Sequence, residues 1–216
     1  MKTAPLLSEV DDEQNNLGKR DLTKRANRSA ILDAGRAVFA ELGYEGTTVR
    51  DIIRRTELAS GTFYNYFKSK DEVFHALHDD GVARFKPMLT AARVAADGDF
   101  KRYMVTAFGA YFQFLLGDDI VIPAMAQRAD WTRVRFDTPE TLAMFEELKA
   151  DIITFASDTH LHVIDPELLT ASISGIAQEI GDRILRGKVG DVDAAALFAA
   201  HFVLGGAARV EQEAQT

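Results

Sequence analysis

Hydroxyl, amide and cationic side chains are concentrated in residues 47–70, at spacings that suit the phosphates and base edges of DNA. Thr48 would open a short helix whose free backbone amides favour a phosphate, and the guanidinium of Arg50, one turn in, could reach a guanine edge. A further short helix would begin near Ser60 and bury Phe63, leaving its other side chains outside. The set expected to contact DNA is Thr48, Arg50, Ser60, Gly61, Thr62, Tyr64, Asn65, Tyr66 and Lys70.

Two short helices and a tight turn are needed to present these side chains. Thr48 and Asp51 have the spacing of a capping box that begins the first of the two helices, and residues 56–59 form the turn. Gly61 would let the backbone of the second helix approach DNA closely. A second capping box starting at Ser69 would begin the next, longer helix. This arrangement is a helix-turn-helix, which places its second helix in the major groove.

Four segments within residues 28–78 form a more specific pattern, namely Ile31–Gly35, Phe39–Tyr44, Thr47–Ile52 and Gly61–Lys70. The pattern resembles the DNA-binding domain of TetR-family transcriptional regulators and covers about a quarter of the chain. By that resemblance, the side chains at the positions where family members contact DNA are Thr48, Arg50, Thr62, Tyr64, Asn65, Tyr66 and Lys70. The resemblance also implies an effector cavity and a dimer face in the rest of the chain.

Two positions depart from the family pattern. Glu57 stands where many members have a turn glycine, and Ala59 stands where many have a capping serine. We therefore expect Ser60 to cap the second helix of the motif one residue later.

Helical periodicity dominates the whole chain and no strand pattern occurs, so the predicted fold is all-α. We divide it into a flexible N-terminal arm (1–20), a three-helix helix-turn-helix domain (21–68) and a helical effector-binding and dimerisation domain (69–216). The chain has a net charge of −8, but residues 19–75 hold 11 Lys and Arg against 8 Asp and Glu. A locally basic segment on an acidic body can still bind DNA, because distant charges are screened. A basic run marks the start of the first helix, with Lys19, Arg20, Lys24, Arg25 and Arg28.

Large apolar side chains in the C-terminal part suggest a pocket for a small apolar or aromatic effector. The expected pocket residues are Phe108, Tyr111, Phe112, Leu115, Met125, Trp131 and Phe145. Core packing is the competing explanation for each of them. The last two helices have apolar stripes with small residues, a pattern typical of a four-helix dimer interface. The expected interface residues are Ile173, Ile176, Ile180, Ile184, Ala199 and Phe202.

No cofactor or metal is expected, because the sequence has no P-loop, no dinucleotide-binding glycine motif and no full set of metal ligands. His75 with His78, and His160 with His162, are better explained as solvated side chains. No apolar run approaches the roughly 20 residues that span a bilayer, and the lack of cysteine fits the cytoplasm.

These observations predict a homodimeric repressor that binds double-stranded DNA at a palindromic operator and leaves it when an effector binds. Two alternatives remain at this point. One is a ligand-independent activator or nucleoid-associated factor on the same scaffold. The other is a helical enzyme acting on an apolar substrate, which the absence of paired acid and base residues disfavours; we do not expect an enzyme.

Overall fold

The computed structural model describes the backbone of residues 7–117, 138–157 and 164–214, with side chains from residue 18 onward. Every regular element in these ranges is an α-helix, which confirms the predicted all-α class. In chain order the helices are α1 (Leu7–Gly46), α2 (Val49–Arg55), α3 (Ser60–Tyr64), α4 (Lys70–Ala96), α5 (Phe100–Gly117), α6 (Pro139–Ser157), α7 (Pro166–Leu185) and α8 (Val192–Ala214).

A first hydrophobic core joins the second half of α1 to α2, α3 and the beginning of α4. Its most deeply buried side chains are Ile31, Phe39, Ile52, Phe63, Val73 and Leu77. Gly35 allows the close approach of α1 to α4, since a Cβ atom there would lie 2.6 Å from Cγ1 of Val73. The regular part of α1 ends at Gly43, whose φ of 68° is non-helical. This core fixes the helix-turn-helix as one packed unit.

Helix α4 belongs to two cores. Ser69 caps its start and accepts from the amide of Glu72 at 3.2 Å, and Asp97, in the left-handed conformation at φ 49°, ends it. Pro87, which the sequence predicts will kink the helix or end it early, lies in its interior. Phe74, near the start of α4, is buried in the first core. The later part of α4 contributes to the second core, so one helix connects the two.

The second core is built around α5, which packs against α4, α7 and α8 as expected of a central helix. Tyr103, Met104 and Phe112 of α5 are fully buried. Helix α7 approaches α5 closely at Gly181, where a Cβ atom would lie 2.5 Å from Cδ1 of Leu115. By length and composition alone α8 could cross a membrane, but its alanine face is buried in this core.

Candidate nucleic-acid interface

The predicted capping box at the start of α2 is present. The amide of Asp51 donates to Oγ1 of Thr48 at 3.3 Å, and the amide of Thr48 donates to Oδ2 of Asp51 at 3.0 Å. The Thr48 hydroxyl also donates to the same carboxylate, and these hydrogen bonds lower the pKa of Asp51. Arg50 follows on the exposed surface of this rigid first turn. The cap therefore fixes the direction in which Arg50 leaves the helix.

Helix α3 has one buried side and one open side, as the sequence predicts. Phe63 is completely buried and Phe67 nearly so, which anchors the helix and the segment after it. Tyr64 is 55% exposed, and its ring meets the edge of the Phe63 ring at a centroid distance of 5.4 Å. The exposed or half-buried members of the predicted DNA-contact set on this side are Ser60, Gly61, Thr62, Tyr64, Asn65 and Tyr66. Apart from Gly61, these side chains carry hydroxyl or amide groups, so the open side of α3 and the residues after it are polar.

The start of α3 differs from the prediction. Ala59 is the N-cap residue and Ser60 is the first helical residue, so the expected shift of the cap to Ser60 is wrong. No side chain caps this end of the helix. The backbone at Ala59 is extended, with φ −65° and ψ 147°, and the helix begins at the next residue without a capping hydroxyl. The Ser60 side chain is consequently exposed and not used by the cap.

Lys70 makes contacts that the sequence did not reveal. Its ammonium donates to the carbonyl oxygens of Tyr44 at 2.8 Å, Thr47 at 2.9 Å and Glu45 at 3.4 Å. The same ammonium lies 4.5 Å from the centroid of the Tyr44 ring, and Asp71 accepts from the Tyr44 hydroxyl. An ammonium has three donors, and all three are used within the chain. Lys70 thus holds the end of α1 instead of presenting a free charge to a phosphate.

The predicted effector residues separate into three groups. Phe108, Phe112 and Leu115 are buried in the second core, whereas Tyr111 and Phe145 are half-buried. Burial raises the pKa of Tyr111 to about 12. The remaining two, Met125 and Trp131, lie outside the described residues.

The predicted dimer stripe is largely inside the chain. Ile173 and Ile184 of α7 and Ala199 of α8 are buried in the second core, so they are not available to a partner. Ile176 and Ile180 are half-buried against the same core. Among the small residues of these helices, Gly181, Ala195 and Ala199 serve the packing of α7 and α8 on α5, whereas Gly175 and Gly205 are exposed.

Phe202 alone of the predicted interface set is strongly exposed, at 64%. Its ring stacks on that of Phe198, 62% exposed, at a centroid distance of 6.0 Å. Leu197 and Val210 on the same helix are also exposed, as is Leu168 on α7. These exposed side chains are called here the apolar surface of α7 and α8, and among the described residues no other element buries them.

A buried carboxylate connects three helices of the C-terminal part. Asp151 of α6 accepts from the Tyr103 hydroxyl at 2.8 Å and pairs with the Arg93 guanidinium at 2.6 Å. Burial, together with the hydrogen bond to this carboxylate, raises the pKa of Tyr103. The Tyr103 ring also stacks on Phe155 at 4.8 Å. Sequence periodicity gave no sign of this cluster, since its members are separated by up to 58 residues.

A chain of charges runs between the two cores along α4. Asp80 accepts from Arg36 of α1 at 3.0 Å and from Arg84, one turn later on α4, at 3.2 Å. The guanidinium of Arg84 lies 5.9 Å from the centroid of the Phe114 ring on α5. Burial lowers the pKa of the neighbouring His78. In the parts of the chain that the structure describes, no three His, Asp or Glu side chains group as metal ligands; His160 and His162 lie outside those parts.

The sequence of this helix-turn-helix matches a known protein family. Residues 31–77 match the family model described as bacterial regulatory proteins, tetR family. The transcriptional repressor KstR2 of Rhodococcus jostii is 33% identical over 72 residues, which cover 32% of this chain and 35% of that protein. The matched segment spans about a third of the length of the curated relatives of this kind.

Solved structures resemble the chain over most of its length. The fatty acid degradation regulator FadR from Bacillus halodurans is 22% identical and has a TM-score of 0.69 over 83% of this chain and 95% of that chain. FadR from Bacillus subtilis, in complex with stearoyl-CoA, is 19% identical with a TM-score of 0.66, covering 82% and 98% of the two chains. At these identities the likeness establishes the fold.

Proposed function

We propose that this chain, whose residues 31–77 match the tetR family model, is a cytoplasmic TetR-family transcriptional repressor that releases its operator when a small apolar or aromatic effector binds. The observation that carries the proposal is the division of α3. Phe63 and Phe67 hold the helix against the first core, while Thr62, Tyr64 and Asn65 remain free to contact base edges. Burying Phe63 and Phe67 is enough to hold a helix on the surface of a domain. Recognition of the major groove additionally requires exposed side chains with hydrogen-bonding groups, and α3 has these on its open side.

The proposed DNA contacts have different roles. Arg50 and the open side of α3 would read bases, whereas Thr48, Ser60 and Tyr66 would contact the sugar–phosphate backbone. Gly61 would allow close backbone approach. For Lys70 we propose a positioning role, because its three donors bind the carbonyl oxygens at the end of α1.

A palindromic operator requires two copies of α3 held about one helical turn of DNA apart, roughly 34 Å. We propose that the exposed apolar surface of α7 and α8 holds a second copy of this chain. Phe198 and Phe202 are large exposed rings that water would otherwise surround. Burial of exposed aromatic side chains is a common feature of homodimer interfaces.

The effector would act on the second core, which α4 connects to the helix-turn-helix. An effector can shift the spacing of the two α3 helices only by its difference in affinity for the two arrangements. The aromatic side chains of α5 are of the kind that contact apolar ligands. A fatty acyl-CoA is a reasonable first probe, because the Bacillus subtilis relative was solved with stearoyl-CoA.

The direct test is selection of bound duplexes from random DNA, followed by affinity measurements with Tyr64→Ala and Thr62→Ala. Each variant should lose about 1–3 kcal/mol of operator binding per lost base contact and keep the melting temperature of the wild type. Val94→Ala, which truncates a side chain 73% exposed on α4, is the matched control and should bind normally. Failure of the wild-type protein to enrich any sequence would overturn the proposal.

The effector step has its own test. Acyl-CoAs and small aromatics should be titrated while the fluorescence of Trp131, the single tryptophan, is followed. A true effector at 100 times its dissociation constant should stabilise the fold by about 2.7 kcal/mol and weaken operator binding. By linkage, saturating operator should weaken effector binding by the same factor. A ligand that binds without this reciprocity is not an effector.

A further inference from the structure

The beginning of α1 carries a basic face that no hydrophobic core covers. Between residues 18 and 30 every side chain is exposed except that of Asn27, which is half-buried. Lys19, Arg20 and Lys24 recur at intervals that bring them to the same side of the helix as Asn27. Three cations of this exposed part of α1, Lys19, Arg20 and Lys24, therefore lie toward the side of Asn27.

This basic face is held next to the end of the helix-turn-helix. The Asn27 amide donates to the Tyr66 hydroxyl at 3.4 Å, and the guanidinium of Arg28 lies 5.5 Å from the centroid of the Phe67 ring. A groove forms between the two elements, lined by Lys19, Arg20, Thr23, Lys24 and Tyr66. Tyr66 comes two residues after α3. The groove is thus continuous with the surface proposed to contact DNA.

Within the described part of the chain, Lys19, Arg20 and Lys24 form no ion pair, although Asp21 is on the same helix. Arg183, an exposed arginine of α7, by contrast pairs with a glutamate one turn away at 2.7 Å. Three cations beside two hydroxyl groups make a site for oxyanions, and a row of oxyanions is what a DNA strand presents.

We propose that this face of α1, with Tyr66, is a second DNA-contact surface that binds sugar–phosphate backbone beside the bases read by α3. The inference rests on the proposed function. From Lys19 to Asn27 the helix rises about 12 Å, which matches the axial rise of three to four nucleotides on one strand. Long cationic side chains on an exposed helix face add affinity without sequence information.

The test compares two triple variants that remove the same charge. Lys19→Gln, Arg20→Gln, Lys24→Gln removes the basic face, and Lys101→Gln, Arg102→Gln, Lys188→Gln removes three exposed cations elsewhere. Glutamine has nearly the helix propensity of lysine and arginine, so both variants should fold. Circular dichroism and the melting temperature check this. Binding to the selected operator is then measured between 50 and 200 mM salt, with hydroxyl-radical footprints of each complex.

We expect the first variant to select the same DNA sequence as wild type but to bind it more weakly. With six cations in a dimer, the slope of log affinity against log salt should become less steep by up to about 5. Its footprint should lose a discrete group of backbone positions in each half-site. The second variant should match wild type in slope and footprint.

Three results would overturn the inference. If the two variants have the same slope of log affinity against log salt and the same footprint, the basic face is only solvated. If both variants still select the operator, the proposed function stands. A loss of sequence selectivity in the first variant would mean that this face reads bases. Failure of wild type to select any DNA would remove the proposed function and the inference with it.

Discussion

The ammonium of Lys70 donates to the carbonyl oxygen of Tyr44 at 2.8 Å and lies 4.5 Å from the centroid of the same residue's ring. Through this contact, the first residue of α4 closes the end of α1 and fixes the linker that leads into α2. The Thr47 hydroxyl completes the closure by donating to the Gly43 carbonyl at 2.7 Å. The orientation of α2 and α3 therefore depends on a lysine that the sequence pattern alone assigns to DNA.

Lys70→Gln should lower the free energy of unfolding by about 1–3 kcal/mol, because it removes charged hydrogen bonds to backbone carbonyls and a cation–π contact. Thermal and urea unfolding measure the change. Lys68→Gln, which neutralises an exposed neighbour, should stay within about 0.5 kcal/mol of wild type. If Lys70→Gln leaves the stability unchanged but reduces the salt dependence of operator binding, Lys70 contacts a DNA phosphate instead.

Gly61→Ala should separate folding from DNA binding. A Cβ atom at Gly61 would meet no heavy atom within 4 Å, so the chain itself does not require glycine there. Alanine in a helix is favoured over glycine by about 0.5–1 kcal/mol, and the melting temperature should stay the same or rise. Operator affinity should fall, because the added methyl group stands where DNA backbone approaches.

The control for this change is Gly81→Ala on α4, where the nearest atom would be Cζ of Phe114 at an ordinary 3.9 Å. It should raise helix stability in the same way and leave DNA binding unaltered. If Gly61→Ala binds the operator as tightly as wild type, the close approach of α3 proposed at this position is wrong.

These contrasts show which features a sequence reveals. The capping box of Thr48 and Asp51 and the inward direction of Phe63 are local patterns, set within one or two helical turns, and both are present in the structure. Contacts such as that of Lys70 with Tyr44 join residues 26 positions apart and leave no periodic signal.

The dimer stripe shows the limit of periodicity most clearly. An apolar stripe with small residues indicates that a helix face is covered, but it does not say by what. Ile173 and Ala199 are covered by α5 and its neighbours in the same chain, and Gly181 allows that contact. Phe202 lies less than one turn from Ala199 on α8 and is exposed, and its apolar character alone does not distinguish it from a core residue.

Tyr111→Phe should alter stability in alkaline solution. Burial raises the pKa of Tyr111 from 10.0 to about 12, so the folded state keeps the phenol proton that the unfolded state loses first. Its contribution is fully present below pH 10 and is lost as the pH rises toward 12. A shift of this size corresponds to roughly 2–3 kcal/mol over that window.

Urea unfolding of wild type and Tyr111→Phe at pH 8, 10 and 11 measures this effect. The wild-type protein should lose more stability than the variant between pH 10 and pH 11. Tyr103→Phe is the necessary companion variant, because burial raises the pKa of Tyr103 in the same direction. Parallel losses in wild type and Tyr111→Phe would show that Tyr111 ionises as readily in the folded state as in the unfolded chain.

Phe198→Glu and Phe202→Glu should each convert a dimer into a monomer. Their rings are exposed and stacked on α8, as part of the apolar surface of α7 and α8. A second copy that covers this surface would have to bury an unpaired carboxylate in the variants, which costs several kcal/mol. The solution mass should fall from twice 23.8 kDa to 23.8 kDa.

The fold of each monomer should survive, because neither ring contributes to the two cores. Operator affinity should be lower for the monomeric variants than for the dimer. A monomer places one α3 helix in one half-site, so binding at the two half-sites is no longer coupled. Val94→Glu on α4, an equally exposed apolar position away from this surface, should remain dimeric and bind DNA normally. A Phe202→Glu protein that stays at twice the monomer mass would place the dimer contact on another face of the molecule.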